Sequence, residues 1–231
     1  HKIAEDGFIY GQIVSHFPAE RIMEYGNFVS LLYYYGMLTI GGVEGELLTL
    51  AIPNNNVRLQ YYHYLLDEYQ SIAPVNVSDL KMDFSLAAIH GDWRPLIELV
   101  CQAYHDTTSM RQLIEGERNL QGFMNAYLTL TNYYLVAPEL EMNHGFCDFF
   151  LLPNYKAYPM VAHSYILELK YLKAGSSEAE AMRQWEDAVG QIRRYAADRR
   201  LQAMLHGTRL HPIVVQIRGC DLVKYEEVAV S

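Results

Sequence analysis

A mixed α/β sheet is the fold class that this sequence predicts for its C-terminal half, and three observations carry it. Strand-like runs rich in aromatic and branched side chains stand close together at Tyr133–Glu141, Phe146–Leu152 and Val161–Tyr171. One strong helical pattern follows them, and then more strand-like sequence at Ile213–Arg218 and Leu222–Val228. Another long helical pattern, from about Ser109 to Asn132, comes before them. The order is helix, three strands, helix, strand, which calls for a sheet with helices packed on it.

Each element has a local reason. Ser177 and Glu180 have the spacing of a capping box, in which each side chain satisfies a backbone N–H of the first helical turn. Trp185, Ala188, Ile192 and Tyr195 then continue at helical spacing to about Leu205, and Gly207 follows. In the first third, Ala19–Tyr35 reads as a helix ended by Gly36, a residue that accepts positive φ. Met37–Ile40 and Leu47–Ile52 read as two strands around Gly41-Gly42-Val43-Glu44-Gly45, and Pro53-Asn54 breaks the second. A Tyr-rich helix follows from about Asn55 to Gln70, so helix, hairpin and helix suggest a winged-helix-like module. Basic residues are sparse there (Lys2, Arg21, Arg58 and Lys81), which favours docking or packing over reading a DNA groove. Ser71–Ser78 is the linker candidate, and Asp79–Ala88 and Arg94–Tyr104 are amphipathic helices split by Gly91-Asp92.

Composition bounds the rest. The 231 residues suffice for a real core, and the longest apolar run, Phe28–Ile40, is too short for a bilayer and carries Ser30 and Gly36. The chain starts at His1 rather than Met and shows no signal-peptide pattern, so a fragment is expected. Cys101, Cys147 and Cys220 form no C-x-x-C pair, which points to a reducing cytoplasm. His90, His105, His144, His163, His206 and His211 show no ligand spacing and read as surface or core residues. The net charge of −9 is uneven: residues 1–149 carry 7 basic and 18 acidic side chains, residues 150–231 carry 11 and 9. The concentrated positive feature is Arg193, Arg194, Arg199 and Arg200, either a solvated helix face or a phosphate-binding one. The 19 tyrosines are dispersed, as packing residues are, rather than grouped for base stacking.

Chemistry concentrates at Asp148 and at Glu168-Leu169-Lys170. In a strand, Tyr165, Leu167, Leu169 and Tyr171 share one face, and Glu168 and Lys170 stand side by side on the other. An acid and a base aimed the same way, beside an acid on a neighbouring strand, point to a divalent-metal site. Asp148 sits in an apolar strand, where an ionised carboxylate is costly unless paired, hydrogen-bonded or metal-bound. Gln191 and Tyr195 lie one helical turn apart, and Glu115 or Glu117 could add a carboxylate from the preceding helix. The bland alternative is an ion pair on an exposed sheet face, with Asp148 in a turn.

These residues resemble the PD-(D/E)xK nuclease superfamily. The matching pieces are Gly145-Phe146-Cys147-Asp148, then Glu168-Leu169-Lys170, then a helix with Ala188, Gln191, Ile192 and Tyr195. That helix is similar to one in the branch attached to AAA-ATPase-like proteins of bacteria. Asn27–Thr39 and Ile52-Pro53-Asn54 look like the tail of the ATPase-like region, and Leu86–Asp92 like its helical connector. The resemblance implies a restriction-endonuclease-like core preceded by a mainly helical, winged-helix-like region. It implies the divisions 1–75, 76–108 and 109–231, and an ATP-binding part upstream. It further implies that Asp148 and Glu168 hold Mg²⁺ or Mn²⁺, with Glu117 as the helical acid, and that Lys170 orients or activates the attacking water. Gln191 would position a site group, Tyr195 would do so or pack, and Arg193 and Arg194 are candidate phosphate contacts. The expected function is a metal-dependent, cytoplasmic nuclease acting on DNA or RNA, with no membrane association. The alternative is a non-catalytic module that docks or regulates the ATPase. Cys147 stands where the family name has Pro, and Phe146 where a basic residue is common.

Overall fold

The computed structural model describes residues 3, 8–45, 47–54, 56–57, 60–61, 64, 67, 71, 74–111, 117–142 and 145–230. Two compact units divide the chain, His1–Leu66 and Asp67–Ser231.

The first unit holds strand β1 (Phe8–Gly11), a 3-10 turn (Ala19–Arg21), helix α1 (Tyr25–Tyr34) and strands β2 (Thr39–Glu44) and β3 (Leu47–Ala51). The strands form an antiparallel sheet in the order β1-β3-β2. Val29, Leu38 and Leu50 are buried together with Ile3 and Ile9 in its core. Two expectations need correction. The helix starts at Tyr25 rather than Ala19, because the Arg21 carbonyl is taken by Glu24 N and the Asn27 amide, closing a tight turn instead of continuing a helix. The glycines after Ile40 belong to β2, where the pairing register shifts between Ile40 and Gly42. Gly36 ends α1 with φ at 71°, as its sequence position implies. Residues 56, 57, 60, 61 and 64 are helical.

The second unit begins with helices α2 (Val77–His90), α3 (Arg94–Arg111) and α4 (Glu117–Leu128). Asn76 caps α2 by accepting from Ser78 N, so the linker candidate already contains the helix start. Gly91, at φ 75°, turns the chain between α2 and α3. The expected helix from Ser109 to Asn132 is helical at 109–111 and at 117–128, and it ends short of Asn132. Helix α3 ends at Arg111, residues 112–116 lie outside the described set, and α4 stops at Leu128, after which the Thr129 hydroxyl donates to the Asn125 carbonyl.

A five-stranded mixed sheet follows, in the order β4-β5-β6-β7-β8: β4 (Tyr134–Met142), β5 (Gly145–Pro153), β6 (His163–Leu172), β7 (Arg209–Arg218) and β8 (Asp221–Glu227). Pairing is antiparallel except between β6 and β7, which run parallel. A parallel pair needs a long crossover, supplied here by helices α5 (Glu178–Ala196) and α6 (Arg199–Met204). The capping box of Ser177 and Glu180 is present at the start of α5. The helix does not run on to Leu205: Asp198 accepts from Arg200 N and Leu201 N and caps a new helix.

Strand β7 begins four residues earlier than its sequence pattern indicates, at Arg209, and so includes Pro212. A proline is tolerated where its missing N–H faces no partner strand. The Pro212 carbonyl accepts from Val228 N just past the end of β8, so the proline nitrogen faces that same open side. Both sheet faces are covered. On one, Tyr165, Leu167 and Ile213 meet Ala87, Trp93 and Leu128, and Tyr165 Oη donates to the Ala87 carbonyl at 2.7 Å. On the other, Phe150, Ile166 and Val214 meet Trp185, Ala188 and Ile192 of α5. Each large apolar side chain so buried contributes about 1.5–3 kcal/mol. Glu168 and Lys170 stand on this second face, under α5 rather than on an open sheet.

Candidate active site

Strand β5 brings Asp148 and strand β6 brings Glu168 and Lys170. Their pairing runs through Leu151↔Tyr165, Phe150↔Ile166 and Phe149↔Leu167. One step further would set Asp148 directly across from Glu168, and like charges so placed repel. The described ladder stops there. Asp148 Oδ2 accepts from Leu169 N at 2.7 Å, so a side chain takes a bond that a strand carbonyl would otherwise accept. The sheet opens where its two carboxylates stand.

Lys170 Nζ donates to Glu168 Oε1 at 2.7 Å. This is the ion pair of the bland alternative, but not on an exposed face: the Glu168 side chain is 4% exposed and that of Lys170 17%. Asp148 lies within β5 and not in a turn. The second Glu168 oxygen, Oε2, is buried without a hydrogen-bond partner among the described residues. Such an atom is rare in folded proteins and calls for an explanation. From α4, Gln121 Nε2 donates to Asp148 Oδ1 at 2.8 Å. Glu117, one turn earlier on the same helix face, is exposed, yet its charge bears on Asp148, Glu168 and Lys170 alike. Glu115 lies outside the described residues.

Electrostatics mark the cluster as strained without a further positive charge. Burial pushes Asp148 up to about 6; its bond from Leu169 and the charge of Lys170 pull the other way without cancelling that effect. Burial, then the charge of Asp148, pushes Glu168 up to about 7. For Lys170, burial acts to lower the value, but Glu168, Asp148 and Glu117 together outweigh it and leave the ammonium raised. Cys147, buried beside them with its thiol donating to the Phe149 carbonyl, is driven well up by burial and is an inert packing residue.

Helix α5 covers this face. Ala188, Ile192 and Tyr195 are buried in the core, and Gln191 stands on the same side of the helix with Oε1 buried and unpartnered among the described residues. The Tyr195 hydroxyl is raised by burial first and by Glu168 next, which puts it close to the acids as well as in the core. Arg193 and Arg194 are exposed in the last turn of α5.

Sequence reasoning missed two things. Gln121 is one; its signal was its position four residues after Glu117, on the same helix face. The other concerns histidines. His105 is not isolated but lies with Cys220 and Asp221, and His163 Nδ1 is 2.7 Å from His211 Nε2. His144 is outside the described residues.

The geometry gathers two carboxylates and a lysine on one face of a mixed sheet. Comparison with known families agrees: residues 115–227 match the PD-(D/E)XK nuclease superfamily, and the chain carries a domain of that superfamily. No curated protein and no solved structure matches the chain. PD-(D/E)XK nucleases generally use divalent metal ions, and the orphaned Glu168 Oε2 beside Asp148 fits that requirement. No described helix is long and apolar enough to cross a membrane.

Proposed function

We propose that this domain is a divalent-metal-dependent nuclease that hydrolyses phosphodiester bonds of DNA or RNA. The observation that carries the reading is the placing of two carboxylates, half-buried Asp148 and buried Glu168, around one ammonium, Lys170, with a carboxylate oxygen left unpartnered among the described residues. Two acids against one base leave a deficit of positive charge where water is scarce. Asp148 and Glu168 would hold the cation, with Glu117 reaching in from the rim. Donors that are all oxygen suit Mg²⁺ or Mn²⁺. When bound, the cation would polarise the scissile phosphate and favour ionisation of a nearby water. Lys170 keeps its proton under the charge of its acidic neighbours, so it donates to a phosphate oxygen and offsets charge building there, rather than acting as a base. Gln121 holds Asp148 in place, and the unpartnered Gln191 Oε1 would orient a water or a site group. Arg193 and Arg194 would meet backbone phosphates.

We read the whole chain as part of a longer bacterial, cytoplasmic protein with an AAA-ATPase-like region upstream. Residues 1–75 would be its winged-helix-like tail, 76–108 a helical connector and 109–231 the nuclease-like domain. Local support comes from the antiparallel sheet and helix α1 at 8–51, the helices at 77–111, and three cysteines joined in no disulfide.

The test is incubation with Mg²⁺ or Mn²⁺ and a panel of single- and double-stranded DNA and RNA, beside Asp148→Ala and Lys170→Ala. Cleavage by the parent chain, lost in both variants while their circular dichroism is unchanged, supports the reading. Equal cleavage by Lys170→Ala refutes it.

A further inference from the structure

A second constellation lies away from the carboxylates, where helix α3 meets the β7–β8 hairpin. Helix α3 runs alongside β8 in the opposite direction, joined by three side-chain contacts. Trp93 Nε1 donates to Glu227 Oε2 at 3.2 Å, Tyr225 Oη donates to Glu98 Oε1, and His105 Nδ1 lies 2.9 Å from Asp221 Oδ1. Between the first two contacts, five helical residues and two strand residues each advance about 7 Å at about 1.5 and 3.4 Å per residue. The last of the three sits at the hairpin turn, where Cys220 immediately precedes Asp221.

There the donor atoms of His105, Cys220 and Asp221 all lie within 4.8 Å of one another. His105 and Cys220 are half-buried and Asp221 is exposed. A cavity of about 330 Å³ opens beside them, lined by Glu98, Cys101, Gln102, His105, Asp221 and Leu222. Imidazole, thiolate and carboxylate around one tetrahedral zinc-class ion stand roughly 3.2–3.7 Å apart, given metal–ligand distances of about 2.0–2.3 Å. The observed limit of 4.8 Å is wider than this, so binding draws the three donors closer together.

We infer that His105, Cys220 and Asp221 bind a transition-metal ion of the zinc class at the junction of α3 with the β7–β8 hairpin. The ligand chemistry separates this site from the nuclease centre. A thiolate and an imidazole select a borderline-soft ion, whereas Asp148 and Glu168 offer only oxygen and select a hard one. Binding requires Cys220 to release its thiol proton to solvent. Cys101 is not a ligand: it is 2% exposed in the core, and burial pushes its thiol up to about 12. With three protein ligands the site keeps a fourth position for water from the adjoining cavity. Its effect on the fold is to clamp the hairpin to α3 at the end that the other two contacts leave unsecured.

Cobalt(II) titration of the purified chain tests this without any activity measurement, because only a thiolate ligand gives an intense charge-transfer band in the near ultraviolet. One equivalent is expected to produce that band together with visible bands of tetrahedral type, and Zn²⁺ is expected to displace it. Cys220→Ser and His105→Gln should lose the band, and should weaken Zn²⁺ by more than the ~10–100-fold that an outer-shell change costs. Cys101→Ser and Asp148→Asn should keep it, which separates this site from the nuclease reading. Weak octahedral bands alone in the parent chain, or a charge-transfer band that survives Cys220→Ser, would overturn the inference.

Discussion

Replacing Asp148 with Asn should make the metal-free protein more stable at pH 8, not less. Asn is isosteric, still accepts from Leu169 N, and meets Gln121 once the Gln121 amide turns over to present its oxygen. What it removes is a charge that burial disfavours. The Asp148 carboxyl is raised from 3.8 to about 6 in the folded chain. A carboxyl held above its unfolded value binds its proton more tightly when folded. The stability this confers is complete below about pH 4 and is lost as pH rises through about 6. A shift of about two units corresponds to about 3 kcal/mol. The advantage of Asp148→Asn over the parent should therefore grow from under about 1 kcal/mol near pH 4 to about 3 kcal/mol above pH 7. Relief of Glu168, whose own shift owes its second cause to Asp148, acts in the same direction. The assay is urea unfolding in chelator at both ends of that range, followed by fluorescence of Trp93 and Trp185, which both lie in the second unit. A variant less stable than the parent at pH 8, or an advantage that does not change with pH, refutes the electrostatic account of the site. Adding Mg²⁺ at pH 8 should then stabilise the parent and leave the variant unmoved.

Other perturbations follow from the same geometry. Lys170→Met leaves Glu168 buried without its counter-ion and should cost about 3–5 kcal/mol in urea unfolding, with Glu168→Gln in the same chain restoring most of it. Gln121→Ala removes the donor to Asp148 Oδ1 and should lower Mg²⁺ affinity about tenfold by calorimetry, a loss of about 1.5 kcal/mol for one hydrogen bond to a charged group. Gly91→Ala places a methyl 2.7 Å from the His163 ring at a φ of 75°, so the melting temperature should fall by the equivalent of more than about 1 kcal/mol.

Much of the mixed sheet was legible because its signals are local. Runs of aromatic and branched side chains marked β4, β5 and β6, and the Ser177–Glu180 spacing marked the start of α5, each decided within a few residues. The readings that failed depended on partners far away in the chain. Nothing around Pro212 announces that its nitrogen faces the open end of a neighbouring strand, so β7 looked four residues shorter than it is. Asp198 looked like one more helical residue until its carboxylate was seen capping α6. The same division holds at the site. Glu168 and Lys170 could be put on one face from strand periodicity alone. That Asp148 bonds to Leu169 N, and that Gln121 holds its other oxygen, needed β5, β6 and α4 in place. The grouping of His105 with Cys220 and Asp221 is the extreme case, since no sequence spacing connects α3 to the β7–β8 turn.

The cluster also differs in kind from the rest of the sheet. Elsewhere β5 and β6 present Phe149, Phe150, Ile166 and Leu167 to covering helices, and every such pair adds to stability. At the next position the chain breaks that rule twice, with Asp148 on one strand and Glu168 on the other. A buried and a half-buried acid served by one lysine are worse for the isolated fold than apolar residues of similar volume. A local arrangement that works against stability has a natural reason when it is complementary to something that binds there. Glu168 Oε2, unpartnered among the described residues, says what the site is short of: positive charge, delivered to oxygen. On the proposed reading a divalent cation would supply it, and a phosphate approaching the opened end of the β5–β6 ladder would then meet that charge and the Lys170 ammonium together.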